Sequence, residues 1–148
     1  MKILVVGGGG REHAIIKAIK KNKDVSEIYA LPGNGGMKGD ATLVPIDAKE
    51  IDKITDFAVK TGIDYAIVAP DDPLVLGAVD KLSAAGIPCF GPDKNAAIIE
   101  GSKAFAKDLM RKHGIPTAEY QVFTDEKSAL DYIAGKKFPI RPCFSLSL

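Results

Sequence analysis

Cysteine is scarce in this chain, its charges nearly cancel, and no apolar run is long. Two thiols in 148 residues, Cys89 and Cys143, argue against a disulfide framework and fit a reducing cytoplasm. The 20 basic and 19 acidic residues leave a net charge of +1, so nothing recommends nucleic acid or an anionic membrane as a partner. The cluster Lys17, Lys20, Lys21 and Lys23 reads as the solvated side of a helix end. Ile3 to Val6 is too short for a signal-peptide core or a membrane span, glycines follow at once, and no later stretch approaches spanning length. Repeats and low-complexity tracts are missing as well. What is present is a soluble globular composition, 46% apolar and 26% charged, in a chain long enough for one ordinary domain with its own core. The expected location is the cytoplasm.

Short β-rich runs alternate with helical stretches, which predicts an α/β fold: a parallel, Rossmann-like sheet with helices on its faces. Ile3-Leu-Val-Val6 does not alternate with polar residues and reads as a first strand buried on both sides. Residues 11 to 22 then carry Ile15, Ile16 and Ile19 on one helical face. Glu27 to Leu31 is a second strand, closed by Pro32-Gly33-Asn34-Gly35-Gly36, and Thr42 to Val44 a third at an edge. Ile51, Ile54, Phe57 and Ala58 mark another helix, with Gly62 at its C-terminal cap. Tyr65 to Ala69 reads as a strand, Leu74 to Ala85 as one helix stopped by Gly86, and Pro88 to Phe90 as a fifth strand. Beyond Gly91-Pro92, two short helices, Ala96 to Glu100 and Lys103 to Lys112, hinge at Gly101. Ala118 to Phe123 reads as a strand, Thr124 as an N-cap and Ser128 to Ala134 as a helix. A boundary is expected near residue 102.

The turn after the first strand, GGGGREHAI, tests the dinucleotide fingerprint and fails it. Laid from Gly7, the third glycine position of G-x-G-x-x-G falls on Glu12; laid from Gly8, it falls on His13. That position needs a tiny side chain so that helix and strand pack closely. The second strand ends in Leu31-Pro32-Gly33-Asn34, without the acid that would hold a ribose. A nicotinamide or flavin dinucleotide is therefore not expected. Phosphate chemistry survives, because Gly8, Gly9 and Gly10 let backbone N–H groups close on an anion at a helix N-terminus. Arg11 adds a planar donor suited to phosphate. Glu12 reads either as part of the site or as a first-turn acid complementing the helix dipole. His13 reads either as a neutral hydrogen-bonding group or as a packing residue. In a doubly wound sheet ligands collect outside the carboxyl ends of the strands, which brings in Asn34 and Gly35 from the second loop and Asp71 and Asp72 from Pro70-Asp-Asp-Pro73. Phosphate donors on one side and carboxylates on another suit a sugar phosphate bearing hydroxyls or an amine. The Pro-Asp-Asp-Pro stretch also fits a simple turn.

GGGGREHA, LPGNGG, APDDPLV and FGPDKNAAIIEGSKAFAKDLMRKHGIPTAEY, in this order, resemble the phosphoribosylamine–glycine ligases (glycinamide ribonucleotide synthetases), ATP-grasp enzymes of purine synthesis. The resemblance runs from residue 1 to about 140 and implies three parts. These are a pre-ATP-grasp N-terminal domain over 1–102, the start of an ATP-grasp domain over 103–140, and a tail, 141–148, that departs from the family. It implies ATP and Mg2+ in the full-length enzymes, with 5-phosphoribosylamine and glycine as the other substrates. There the glycine carboxylate is phosphorylated and the ribosyl amine attacks the acyl phosphate. By similarity, Gly10, Arg11 and Asp71 would meet the phosphoribosyl substrate and Lys103 would reach ATP phosphates. No catalytic or metal-binding residue is assigned. Asp71 stands where many relatives carry Glu, so Asp72 is the alternative. After Phe138-Pro-Ile140 the family continues with a valine-rich strand and a glycine-rich loop, whereas this chain reads Arg141-Pro-Cys-Phe-Ser-Leu-Ser-Leu148. The expectation is a truncated piece, inactive alone, with Phe105, Leu109, Tyr132, Phe138 and Phe144 partly uncovered and prone to self-association. The alternative is a stand-alone module that binds a sugar phosphate or nucleotide.

Overall fold

The structure, a computed structural model, describes residues 1–137 and 139–141. The expectations attached to Phe138, Pro142, Cys143 and Phe144 lie outside the described residues. The chain divides into two compact units, Met1–Gly101 and a second that begins at Ser102.

The first unit is a parallel five-stranded sheet with helices on both faces, as the alternation predicts. Its strands are β1 (Lys2–Gly7), β2 (Glu27–Pro32), β3 (Thr42–Leu43), β4 (Tyr65–Val68) and β5 (Cys89–Phe90), in the order β3-β2-β1-β4-β5. Val5 of β1 sits between Ala30 of β2 and Ile67 of β4. The connections are α1 (Gly10–Ile19), α2 (Ile51–Thr61), α3 (Asp71–Val75) and α4 (Ala78–Ala84), and α5 (Lys94–Gly101) closes the unit. Alternate residues of β1 feed two cores. Leu4 and Val6 pack with Ile54, Ala58, Leu74 and Leu82 on one face, and Ile3 and Val5 with Ile16, Ala30 and Met37 on the other. A strand covered on both sides must be apolar throughout, which is why Ile3-Leu-Val-Val6 lacks alternation. Each such side chain, 0–4% exposed, contributes roughly 1.5–3 kcal/mol by leaving water.

Four sequence expectations change, the last of them at the cap of the final helix. The stretch read as one helix from Leu74 to Ala85 is two, α3 and α4, because Gly77 takes a left-handed conformation, φ 86°, and becomes the N-cap of α4. Pro70-Asp-Asp-Pro73 is a helix start rather than a turn: Pro70 is the N-cap, and both acids stand in the first turn of α3, where their charge complements the helix dipole. The backbone of Ala118 to Phe123 forms no strand, and among the described residues no neighbouring strand offers it a pair.

The second unit holds α6 (Lys103–Lys112) and α7 (Glu126–Ala134). Ser102 caps α6 by accepting from the Phe105 N–H at 3.3 Å. The cap of α7 is Asp125, which accepts from the Ser128 N–H at 2.9 Å, and not Thr124. Neither helix contains a buried residue.

Candidate functional site

Strand order reverses at β1, whose neighbours β2 and β4 continue in opposite directions along the chain. The carboxyl ends of these three strands carry the turn into α1, the loop Gly33–Gly36 and the start of α3. The first two are joined backbone to backbone. The Gly33 N–H donates to the Gly7 carbonyl at 3.2 Å, and a Cβ on Gly8 would lie 2.6 Å from the Gly33 oxygen. Gly8 is thus required by close approach. Asn34 ties the same loops: its Nδ2 donates to the Gly8 carbonyl at 2.6 Å while its Oδ1 accepts from the Gly36 N–H at 2.7 Å. Gly35 opens the 3-10 turn Gly35–Met37 that Asn34 caps.

Gly9 is the N-cap of α1, and the first i to i−4 bond runs from the His13 N–H to the Gly9 carbonyl at 3.1 Å. The amides of Gly10, Arg11 and Glu12 therefore have no intrahelical acceptor. Glu12 is buried, 4% exposed. One oxygen accepts from the Gly9 N–H at 2.7 Å and the other from Arg11 Nε at 2.9 Å. Arg11 itself is exposed, and beyond Nε its guanidinium makes no hydrogen bond among the described residues. Its pKa is raised first by the bond to Glu12, and the charges of Glu100 and Asp71 act in the same direction.

The His13 ring lies beside the second loop, its Cε1 3.9 Å from where a Cβ on Gly36 would stand. Its Nε2 meets Asp40 Oδ2 at 2.9 Å, and Lys20 Nζ donates to the other Asp40 oxygen at 3.0 Å. Those two bonds, His13 first, hold the Asp40 carboxyl down at about 2. Sequence reading offered no signal for Asp40, which lies 27 residues from His13 in a stretch without a motif. Glu100 was equally silent as a neighbour of Arg11. Of the two acids in α3, Asp72 is paired with Lys49 at 2.7 Å, while Asp71 has no hydrogen bond or ion pair among the described residues and is exposed.

The structure thus gathers Gly8, Gly9, Gly10, Arg11, Glu12, Asn34 and Gly35 at the carboxyl ends of β1 and β2, with Asp71 near enough to act on Arg11. Lys103 stands exposed at the first position of α6, in the second unit. Among the described residues no three His, Cys, Asp or Glu side chains are gathered as a metal centre would need, and no helix is long and apolar enough to cross a membrane.

A parallel sheet with a glycine turn at its point of reversal places the first unit in the α/β class, and solved structures share that fold. The biotin carboxylase domain of the 2-oxoglutarate carboxylase from Hydrogenobacter thermophilus shares the fold at a TM-score of 0.69 and 19% identity, over 93% of this chain and 33% of that one. The phosphoribosylamine–glycine ligase of Thermotoga maritima aligns at a TM-score of 0.65 and 29% identity, over 90% of this chain and 30% of that one. Residues 1–100 match the phosphoribosylglycinamide synthetase N domain, and residues 101–142 the ATP-grasp (A) domain of the same synthetase. The chain belongs to the phosphoribosylglycinamide synthetase family. Phosphoribosylamine–glycine ligases from Allochromatium vinosum and Listeria monocytogenes are 46% and 48% identical to it over 142 and 141 residues, 95% of this chain in each case. The chain spans about a third of the length of these curated relatives, 33% and 34%.

Proposed function

We propose that the cluster at the carboxyl ends of β1, β2 and β4 binds the phosphoribosyl part of 5-phosphoribosylamine, and that the chain is the ribonucleotide-facing portion of a cytoplasmic ligase. The whole enzyme would join glycine to that amine at the expense of ATP. Family membership supports the reaction. The observation that carries the site is Arg11, an exposed guanidinium held by Nε alone at 2.9 Å, beside the unpaired first-turn amides of α1. Such an array suits a phosphate, which accepts several N–H bonds at once. Asp71, exposed and without a hydrogen bond or ion pair among the described residues, is the better placed of the two acids to accept from ribose hydroxyls or the amine, since Asp72 is engaged by Lys49. Asn34 and Glu12 frame the site and have their polar atoms engaged within it. Lys103 is the candidate for ATP phosphates. No described residue is assigned to Mg2+, and no step is derived through it. Bound ATP would supply the phosphoryl group that activates the glycine carboxylate.

Titration of these 148 residues with ribose 5-phosphate, ribose and inorganic phosphate, read by calorimetry, tests the site. Ribose 5-phosphate is expected to bind more tightly than either part, and without ATP consumption when glycine and ATP are added. Arg11→Ala should weaken that binding by about 1.5–3 kcal/mol, the worth of a hydrogen bond to a charged group. Equal affinities for wild type and variant would remove Arg11 from the site.

A further inference from the structure

The acid at position 12 is the feature that breaks the dinucleotide pattern, and its surroundings say what it does instead. Neighbouring residues on a helix point about 100° apart and do not ordinarily meet. Here Glu12 reaches back under the N-cap while the Arg11 side chain folds over it, so that Nε and Oε1 are 2.9 Å apart. Gly7 makes room: a Cβ there would lie 2.7 Å from Glu12 Cγ. A carboxylate that is 4% exposed persists in such a place only when its oxygens are satisfied, and each has one donor, Gly9 N–H and Arg11 Nε. Both oxygens are engaged and the side chain is covered, so little of Glu12 faces a ligand directly.

Its effect on Arg11 is another matter. Glu100 and Asp71 pull on the same guanidinium, and a long side chain on the surface would otherwise swing between carboxylates. A bond through Nε fixes one edge of the planar group and leaves the two Nη groups, the edge that forks onto phosphate, facing outward. We propose that Glu12 is a positioning residue: it locks the Gly9 amide and orients Arg11 so that its Nη edge is presented to the ligand. The ligand's being a ribose phosphate rests on the reading given above; the orientation of Arg11 does not.

The Arg11 Nε–Hε signal in a 1H–15N NMR spectrum tests the orientation, and ribose 5-phosphate titrations of wild type, Glu12→Gln, Arg11→Ala and the double variant test its consequence. In wild type a downfield, slowly exchanging Hε is expected. Glu12→Gln, which still accepts from Gly9 but turns an amide donor toward Arg11, should lower the melting temperature without preventing folding, lose the Hε protection and weaken binding about tenfold. In the Arg11→Ala background the same change should alter affinity by less than about twofold, because it acts through Arg11. An Hε that exchanges in wild type as fast as in free arginine overturns the proposal, and needs no variant to fold. So does a loss on Glu12→Gln that is as large without Arg11 as with it. A protected Hε, lost in Glu12→Gln, in a wild type that does not bind ribose 5-phosphate supports the orientation and removes the ribose-phosphate reading.

Discussion

Asn34 has both ends of its amide on main-chain groups, Gly8 on one loop and Gly36 on its own. The two loops share one backbone bond, from the Gly33 N–H to the Gly7 carbonyl, and the Asn34 side chain adds a second tie beside it. Asn34→Ala should therefore destabilise the protein by about 1–2 kcal/mol, one or two neutral hydrogen bonds, seen as a lower urea midpoint at unchanged slope. Asp40 makes a prediction with a sign in pH. Its carboxyl lies at about 2 in the folded chain against an ordinary 3.8, so the folded state favours its ionised form. Its contribution is complete above about 4, falls as pH drops from there and is gone once pH has passed below about 2. Asp40→Asn removes that dependence. Acid unfolding followed by circular dichroism should show the stability difference between wild type and variant shrinking across this window; a difference constant in pH would refute the assignment.

The division of a single apolar pattern into α3 and α4 turns on one residue. Gly77 is left-handed at φ 86°, and a Cβ there would meet nothing nearer than Lys94 Cδ at 3.7 Å. Space is not the obstacle, so Gly77→Ala isolates the backbone term. An expected loss of about 1–2 kcal/mol, the cost of that conformation for a residue with a Cβ, is measurable by thermal or urea unfolding. A stability equal to wild type would mean that the two helices had merged. Gly62, at φ 68°, ends α2 in the same conformation, the ordinary use of glycine at a helix C-terminus. At the start of α7, Asp125 prevails over Thr124 because its carboxylate accepts from the amide three residues on, at 2.9 Å, a stronger bond than a neutral hydroxyl makes.

Across the whole molecule, apolar cover is unevenly distributed. The first unit buries β1 completely and packs two cores against the sheet. In the second, α6 and α7 bury nothing, and Phe105, Ile115, Val122 and Leu130 are 42–57% exposed. Burial sets the free energy of local opening. Hydrogen exchange should then find β1, β2 and β4 amides protected to the level of global unfolding, while α6 and α7 exchange orders of magnitude faster. Protection of α6 and α7 equal to that of β1 would contradict this. The exposed apolar side chains also favour self-association, to be read as concentration-dependent sedimentation.

How much could be known from the residues alone varies with the range of the force involved. Period and punctuation are local: the unbroken run Ile3–Val6, the spacing of Ile51, Ile54 and Ala58 and the stop at Gly62 determined a parallel α/β sheet, its strands and most helices. The residues of the glycine turn were equally visible, because a helix start after a buried strand is a local arrangement. The roles of those residues were not, since they depend on atoms brought from elsewhere. Asp40 comes to His13 across 27 positions, Lys49 takes Asp72, and Asn34 bridges to Gly8 across 26. Glu12 finds both of its donors locally, at Gly9 and Arg11, but only the folded chain decided that it points inward and Arg11 outward, since packing against the end of β1 at Gly7 is what covers the carboxylate.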